Sequence, residues 1–409
     1  MPDVTAQGFV ELVIPWVPQL NLNLTFYLDG LGLIFVLIVT GIGAAITLYA
    51  GYYFDTEAEM NRFYRLLFAF SGAMLLLVLS GNLLLLFVAW ELTSIISFML
   101  IGFKGAKEAD ARFGALQALM ITGGGGLALL AGVILLGTAA GSFELSSILA
   151  NETLTEHPWY LAFTSLILVG CFTKSAQFPF HFWLPGAMSA PSPASAFLHS
   201  ATMVKAGIYL AARLYPALAN TPFWTDTLTF FGIATVVVGA VLALRQRDLK
   251  GLLAYSTISM LGTFIALIGQ PESEGLKAAY VGILAHALYK ATLFLVAGAI
   301  DHAAHTRIID KLGGLARQMP GWAVIATICG LSMAGIPPLF GYVGKEVYLE
   351  AMLHHPQQLV VMSLVIAGAA LTTTVALIFI WDVFFKRPAA PVDVHLPERG
   401  LGVGPGMLA

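Results

Sequence analysis

Charged residues are scarce in this 409-residue chain, where Asp, Glu, Lys and Arg together make up 11% of the sequence. Soluble globular domains carry roughly 25% charged residues. Hydrophobic residues reach 58%, so the composition predicts an all-α polytopic membrane protein that lies in a lipid bilayer. The net charge of −3 and the lack of any basic cluster argue against binding to nucleic acid.

Cysteine is also scarce, because only Cys171 and Cys329 occur and both lie inside apolar runs. Two cysteines at that separation form neither a metal motif nor a disulfide framework, and we interpret both as small buried apolar residues. The sequence lacks CxxC, GxGxxG and P-loop motifs, so we expect no cofactor and no metal site. Residues 1–28 contain no Lys or Arg, which predicts no cleavable signal peptide.

Long apolar runs, in contrast, are abundant. About 20 apolar residues are needed to cross a bilayer as a helix. On this criterion we expect about eleven transmembrane helices, at 29–53, 66–80, 82–102, 113–137, 160–178, 194–214, 228–244, 252–269, 278–300, 321–343 and 358–385.

Basic residues fall in alternate connections between these spans. The N-terminal segment and the connections 138–159, 215–227, 270–276 and 351–357 contain no Lys or Arg. We expect the protein to lie in the plasma membrane. Because basic loops stay on the cytoplasmic side, residue 1 is predicted outside the cell and the C-terminus in the cytoplasm. The predicted parts are an extracytoplasmic segment 1–28, a transmembrane domain 29–385 and a cytoplasmic tail 386–409.

Eight ionisable residues remain at membrane depth. Ionisable groups are costly in hydrocarbon and therefore face a protein-lined or wet interior, where they mark ion pathways. We predict that these residues serve proton translocation, with the last as a secondary candidate: Glu91, Lys174, His199, Lys205, His286, Lys290, Lys345 and Glu346. Asp29, His181, His302 and His305 are assigned to membrane edges or loops.

Lys174 lies at the end of an apolar run and is followed by Pro179, Pro185, Pro191 and Pro193. Transporters use interrupted helices of this kind to expose backbone and charge to a pathway. Glu91 is the expected partner of Lys174, and a lysine that can lose its proton in an apolar environment can carry protons. The alternative is a salt bridge that only fixes helix packing.

His286 and Lys290 are four residues apart and stack on one face of a helix, which suggests a proton relay. His199 and Lys205 are expected on one helix but not on one face, as successive stations linked by water or hydroxyl groups. Lys345 follows GIPPLFGYVG, which predicts a second broken helix, whereas pairing between Lys345 and Glu346 is left open. Gly123–Gly126 is interpreted as close helix packing or a hinge.

Several segments resemble the proton-conducting antiporter family, which includes the large subunits of Mrp-type Na⁺/H⁺ antiporters and the antiporter-like subunits of respiratory complex I and membrane-bound hydrogenases. They are WELTSIISFMLIGF, KSAQFPFHFWLPGAMSAPSPASAFLHSATMVKAGIYL, DLKGLLAYSTIS, HALYKATLFLVAGAIDHAAHTR and GIPPLFGYVGKE. The similarity extends from about residue 16 to 385. It is greatest to the Mrp large subunit, and some complex I members carry Asp where this chain has Gly126.

The resemblance implies two inverted five-helix repeats, at about 66–214 and 228–385, each with a discontinuous helix. It also implies that Glu91 and Lys174 occupy the family's ion pair, His286 and Lys290 its central relay, and Lys345 its terminal lysine. Family members usually have two further helices before WVPQLNLNLTFYLDGL and a longer C-terminal part. This departure predicts a compact homologue, the product of a split gene or a piece of a longer chain.

The function expected from these observations is that of a non-enzymatic, proton-translocating subunit of a multi-subunit, Mrp-like Na⁺/H⁺ antiporter. Its partners would be other membrane subunits, with H⁺ and Na⁺ as the transported ions. A proton-pumping subunit of a complex I-like or hydrogenase complex is the first alternative. A structural membrane-anchoring subunit whose buried charges only hold helices together is the second.

Overall fold

The structure is a computed structural model that describes residues 8–17, 22–353, 358–388 and 394–409. It is mostly helical but begins with an antiparallel hairpin of strands β1 (Phe9–Val17) and β2 (Leu22–Asp29). The prediction of an all-α protein is therefore wrong for the two strands that precede the first helix. The sequence of β2 alternates apolar residues with Asn23 and Thr25, which is the period of a strand rather than of a helix.

The helices follow the hairpin in a single series. In chain order they are α1 (Gly30–Ala50), α2 (Glu57–Leu79), α3 (Leu83–Ile101), α4 (Ala109–Ala140), α5 (Tyr160–Lys174), α6 (Ala206–Leu218), α7 (Pro222–Leu244), α8 (Leu249–Ile268), α9 (Ser273–Ala304), α10 (Pro320–Ala334), α11 (Phe340–Met352), α12 (Gln358–Leu377) and α13 (Val403–Leu408). A π-helical segment, Ile378–Phe385, continues α12.

In the described part of the chain, eight helices are long and apolar enough to cross a membrane, namely α1–α4, α7–α9 and α12 with its continuation. They correspond to eight of the predicted spans. The predicted spans 160–178, 194–214 and 321–343 contain shorter or interrupted helices instead. The prediction of about eleven transmembrane helices is thus confirmed for these eight, whereas Pro- and Gly-rich segments shorten or interrupt the helices in the remaining three runs.

Helix ends alternate between two faces of the bundle. At one, here called the hairpin face, the backbone of β2 pairs with Ser80 between α2 and α3, and Asn82 pairs with Glu144 after α4. At the opposite end, here called the basic face, Asp248 before α8 pairs with Ile308 after α9. Residues on each connection therefore lie at a defined end of the bundle.

Helices α8 and α9 form the centre of the bundle. In their most apolar windows 89% of the residues are buried, against 39–50% in the other six long helices. Helix α9 packs against α1, α8, α10, α11 and the segment Ser192–Ala201. Side chains on α8 and α9 are thus shielded from lipid by the chain itself.

The chain between α5 and α6 is irregular. After Lys174 it forms short turns, then a helical turn at Ser192–Ala196, a π-helical turn at Phe197–Ala201 and a 3₁₀ turn at Met203–Lys205. The expectation that His199 and Lys205 share one regular helix is wrong, because the backbone breaks at Thr202 with φ −126° and ψ −85°. The predicted second break is confirmed between α10 and α11, where Gly335 adopts φ +76°.

Candidate functional site

The Lys174 side chain is fully buried at the end of α5 and is held by neutral groups of α3. Its Nζ donates to the Trp90 carbonyl oxygen at 3.0 Å and to Ser94 Oγ at 2.7 Å. The ammonium also lies 5.1 Å from the centre of the Trp90 ring, within the range of a cation–π contact. Residues 90 and 94 are one turn apart, so one face of α3 supplies all three contacts.

Glu91 does not form the expected ion pair. No atoms of its carboxylate and the Lys174 ammonium lie within 4.0 Å, although the two charges are close enough to interact electrostatically. Glu91 Oε1 is buried without a hydrogen-bond partner and lies against Gly126 of α4, where a Cβ atom would collide with it. Lys174 reaches the Trp90 carbonyl instead, while Glu91 extends toward α4.

The four consecutive glycines of α4 divide into two pairs. A Cβ on Gly125 would collide with the Thr173 side chain, and Gly126 contacts Glu91, so the predicted close helix packing is confirmed for this pair. Gly123 and Gly124 have no atom within 4 Å of the position of a Cβ. Of these four glycines, only Gly125 and Gly126 therefore limit the approach of α4 to α3 and α5.

We predict that Gly126→Ala displaces the Glu91 carboxylate without preventing assembly. The atom that a Cβ meets is the end of a flexible side chain, which can rotate away. If Glu91 takes part in proton translocation, as the sequence predicts, proton movement across the membrane should fall roughly tenfold, equivalent to about 1.4 kcal/mol. Membrane vesicles at matched protein content measure this, with Gly124→Ala as the control. Equal rates in both variants would mean that the placement of Glu91 is unimportant.

His199 is fully buried in the π-helical turn, and neither of its ring nitrogens has a hydrogen-bond partner within the described protein. Its ring lies 6.1 Å from the Trp183 ring, and it interacts electrostatically with Lys250 of α8. π-Helical turns inside helices occur frequently at functional sites. Two unpaired nitrogens on a buried imidazole can accept and donate a proton through water.

Lys205, His286 and Lys290 form the centre of the site. Lys205 Nζ donates to the Ile283 carbonyl oxygen of α9 at 3.0 Å, and Lys290 Nζ donates to Ser256 Oγ and, at 3.4 Å, to the Leu253 carbonyl oxygen of α8. His286 lies between them in sequence and interacts electrostatically with both lysines and with the nearby Ser200 backbone. The predicted relay residues are thus brought together in the most buried part of the bundle.

Lys345 lies in α11 beyond the second break. Its Nζ donates to the Ala334 carbonyl oxygen at 2.9 Å and to Thr373 Oγ1 at 3.1 Å. Glu346 is exposed on the other side of α11, and no ion pair joins it to Lys345. The structure therefore separates the secondary candidate from the row of buried residues.

A cavity of about 20 Å³ adjoins Lys345 between α8, α9, α10, α11 and α12. This volume is enough for a water molecule, which needs ~10–15 Å³. Hydroxyl groups from both sides of the second break line this cavity. They belong to Ser259, Thr263, Tyr289, Ser332, Tyr348 and Thr372.

Lys250 is a buried lysine that the sequence analysis missed. The distribution of basic residues places it in a loop, but its side chain is buried and Nζ donates to the Ala190 carbonyl oxygen at 2.8 Å. A cavity of about 440 Å³ at the basic face reaches it, lined by Lys104, Glu108, Asp110, Asp248, Asp301, His305 and Arg307 among others. The motif DLKG could have indicated this position. Its Asp248 caps the start of α8, so Lys250 lies in the first turn of that helix and not in a loop.

Four buried lysines and the half-buried Lys345 share one arrangement. Lys174, Lys205, Lys250, Lys290 and Lys345 each donate to a backbone carbonyl, and three of them also to a hydroxyl group, so neutral oxygens rather than carboxylates hold every one. A neutral acceptor accommodates both the ammonium and the free amine, because neither form loses a partner charge. Among the residues described, no three His, Cys, Asp or Glu side chains converge as metal ligands do.

The fold and this row of residues define a multi-pass membrane protein with several ionisable side chains inside its helix bundle. The profile of a family described as "NADH:quinone oxidoreductase/Mrp antiporter, TM" matches residues 80–398. A second, described as "NADH-Ubiquinone oxidoreductase (complex I), chain 5 N-terminus", matches residues 14–64. The chain belongs to the NADH:quinone oxidoreductase/Mrp antiporter transmembrane family.

The curated proteins that the chain is similar to include antiporter subunits. The chain is 46% identical to a protein of Rhizobium meliloti named as a probable K⁺/H⁺ antiporter subunit, over 97% of this chain and 40% of the relative. It is 42% identical to a Na⁺/H⁺ antiporter subunit of Alkalihalophilus pseudofirmus, over 98% of this chain and 53% of the relative. The chain therefore spans about half the length of the curated relatives it matches.

A solved structure with the same fold is the Mrp complex from Dietzia sp. DQ12-45-1b. One of its chains superimposes with a TM-score of 0.89 at 36% identity, covering 100% of this chain and 45% of that chain. The fold described above is thus the fold of about half of that larger chain.

Proposed function

We propose that this chain is the proton-conducting part of one subunit in a cation/proton antiporter complex that exchanges Na⁺ for H⁺ across the plasma membrane. The names of its relatives support an antiporter rather than an enzyme. Protons would pass along Lys174, His199 or Lys205, His286, Lys290 and Lys345 through intervening water, and Glu91 would modulate the proton affinity of Lys174.

The observation that carries the proposal is the row of lysines, all buried except the half-buried Lys345, that are held by neutral oxygens and accompanied by the buried His199 and His286. A lysine bound only by carbonyl and hydroxyl groups can take up and lose a proton while keeping its hydrogen bonds. Structural ion pairs, in contrast, place a carboxylate on each cation.

The same proposal includes the arrangement of the spans. We infer eleven membrane crossings, with the three short or broken helical segments completing the eight long ones, and two inverted repeats at about 66–214 and 228–385. The two breaks support this arrangement, since each lies close to a lysine of the row, the buried Lys174 in the first and the half-buried Lys345 in the second. The hairpin face would be extracytoplasmic and the basic face cytoplasmic, as the distribution of Lys and Arg favours.

The test is cation-driven proton movement in membrane vesicles that contain the complete assembled antiporter. We expect an internal pH dye to respond to added Na⁺ in the wild type and to respond at least ~10-fold more slowly with Lys174→Ala, because a station of the path is removed. The matched control is Lys277→Ala, which removes an exposed lysine near the hairpin face.

Three outcomes separate the possibilities. Loss of the Na⁺ response in Lys174→Ala with normal assembly supports the proposal. A response to K⁺ but not to Na⁺ would support the proposed proton path but identify K⁺ as the exchanged cation, which is the cation in the name of the Rhizobium relative. Equal responses in wild type and Lys174→Ala would contradict the role of this lysine.

A second candidate function is proton pumping within a redox complex, since both family descriptions name NADH oxidoreductases. In that case NADH or another reductant, rather than Na⁺, would drive acidification of the same vesicles. Lys174→Ala would abolish it, and iron–sulfur or flavin subunits would co-purify with the chain.

A further inference from the structure

We propose that Arg213, clamped between Asp29 and Tyr209, is a proton-tight seal that closes the path between Lys205 and the hairpin face. The inference rests on the proposed proton path and adds a residue set outside it. It states that a proton at Lys205 cannot leave toward the hairpin face and continues instead toward His286 and Lys290.

The geometry begins with the spacing along α6. Lys205 precedes the first residue of α6, and Tyr209 and Arg213 follow it at intervals of four residues. Residues at this spacing lie on one side of a helix, and eight residues rise about 12 Å. Tyr209 and Arg213 therefore lie in line between Lys205 and the hairpin face.

Arg213 is fixed on every side. Its side chain is only 2% exposed, and its two terminal nitrogens donate to the Asp29 carboxylate at 2.5 and 2.9 Å. Its Nε donates to the Tyr209 hydroxyl at 3.1 Å, and the guanidinium lies 5.3 and 5.2 Å from the centres of the Tyr27 and Tyr209 rings. A bidentate pair of this kind adds geometric specificity as well as strength.

The hydrogen-bond directions make this assembly impassable to protons. Proton hopping requires groups that accept a proton on one side and release one on the other. Arginine has five N–H donors and no acceptor, and it stays charged in proteins. The Tyr209 hydroxyl accepts from Arg213 Nε and donates its only proton to the Val78 carbonyl oxygen at 2.8 Å. Passing a proton from Lys205 toward Arg213 would therefore require this bond to break and the hydroxyl to release a proton to a guanidinium that cannot accept one.

The surroundings of Arg213 support a barrier to protons at this position. Tyr280 of α9, one turn toward the hairpin face from the carbonyl that holds Lys205, interacts electrostatically with Arg213 and Asp29. Asp29 also caps α1 by accepting from the Gly32 N–H at 2.9 Å, which ties the seal to the start of the first long helix. An arginine placed across a pathway is one way in which channels exclude protons and cations.

The experiment compares passive proton leak in proteoliposomes that hold the complete assembled antiporter, with a proton gradient imposed and no exchangeable cation. We expect Arg213→Gln to increase the leak at least ~10-fold, because glutamine both donates and accepts and leaves room for water. Arg213→Met with Asp29→Leu removes the same ion pair but fills the space with apolar atoms, so it should remain tight. Arg247→Gln breaks an exposed ion pair with Asp310 and serves as the control.

A second-site variant tests the route of the leak. Adding Lys205→Ala to Arg213→Gln should reduce the leak again, since the proposed route runs through Lys205. Arg213→His, which also accepts and donates, is made in parallel in case Arg213→Gln does not assemble. A tight membrane with either assembled variant overturns the seal, and failure of both to assemble would assign Arg213 to structure and overturn it too.

This result is independent of the test of the proposed function. If Na⁺-driven exchange depends on Lys174 but Arg213→Gln membranes are as tight as the wild type, only the seal is wrong. If exchange does not depend on Lys174, the path itself is wrong, whatever Arg213→Gln does.

Discussion

Lys290→Met should reduce Na⁺-driven proton movement at least ~10-fold while leaving the protein as stable as the wild type or more stable. Lys290 is fully buried, and its ammonium is held by the Ser256 hydroxyl and the Leu253 carbonyl oxygen rather than by a carboxylate. Replacing a buried charge with an apolar side chain of similar volume is often neutral or stabilising, by about 1–4 kcal/mol in some buried ion networks. Ser256 already donates to the Leu253 carbonyl oxygen, so the methionine leaves no polar group unpaired.

This variant separates the relay from the anchoring hypothesis. A lysine that only holds α9 to α8 would, on removal, lower the unfolding temperature of the assembled complex and the amount in the membrane. A relay lysine would leave both unchanged and reduce exchange at least ~10-fold. Thermal unfolding in detergent and exchange in vesicles measure the two quantities on one preparation, with the exposed Lys277→Met as the control.

Gly207→Val should prevent stable assembly. Gly207 is the second residue of α6, and a Cβ at this position would collide with the Cys171 carbonyl oxygen and lie 2.5 Å from Ser175 Oγ. The obstacle is backbone of α5, which cannot rotate away as a side chain can. Overpacking a tight interface costs about 1–3 kcal/mol and occasionally more, and here it would separate the two helices that flank the first break.

The amount of folded protein in the membrane and its thermal stability in detergent measure this effect. Gly123→Ala is the matched control, because a Cβ there meets no atom within 4 Å and alanine favours a helix over glycine by about 1 kcal/mol. If Gly207→Val accumulated and unfolded like the wild type, α6 could not be packed on α5 as described.

Sequence reasoning succeeded where one physical signal dominated. Apolar runs predicted the eight long helices because burial in lipid requires them, and the prolines and glycines around Lys174 and Lys345 predicted both breaks. The hairpin before α1 was missed, since its alternation is short and lies outside the apolar runs.

The site was predicted as a set of residues but not as a set of contacts. Depth in a span identified Lys174, Lys205, Lys290 and Lys345, yet nothing in the sequence shows which oxygen an ammonium reaches. The expected pairing of Glu91 with Lys174 followed from their opposite charges and from the family resemblance, whereas the structure satisfies Lys174 with a carbonyl and a hydroxyl group of α3. Lys250 was missed because a lysine in the first turn of a helix resembles an ordinary loop charge.

Each of these lysine hydrogen bonds also fastens two helical elements to one another. Lys174 joins α5 to α3, Lys205 joins the first break to α9, and Lys290 joins α9 to α8. Protonation or deprotonation of a lysine therefore changes the strength of the hydrogen bond between the two elements, since hydrogen bonds from a charged donor are stronger than those from a neutral one. In the proposed transport cycle, proton transfer at each lysine would then directly change how firmly two helical elements are held together.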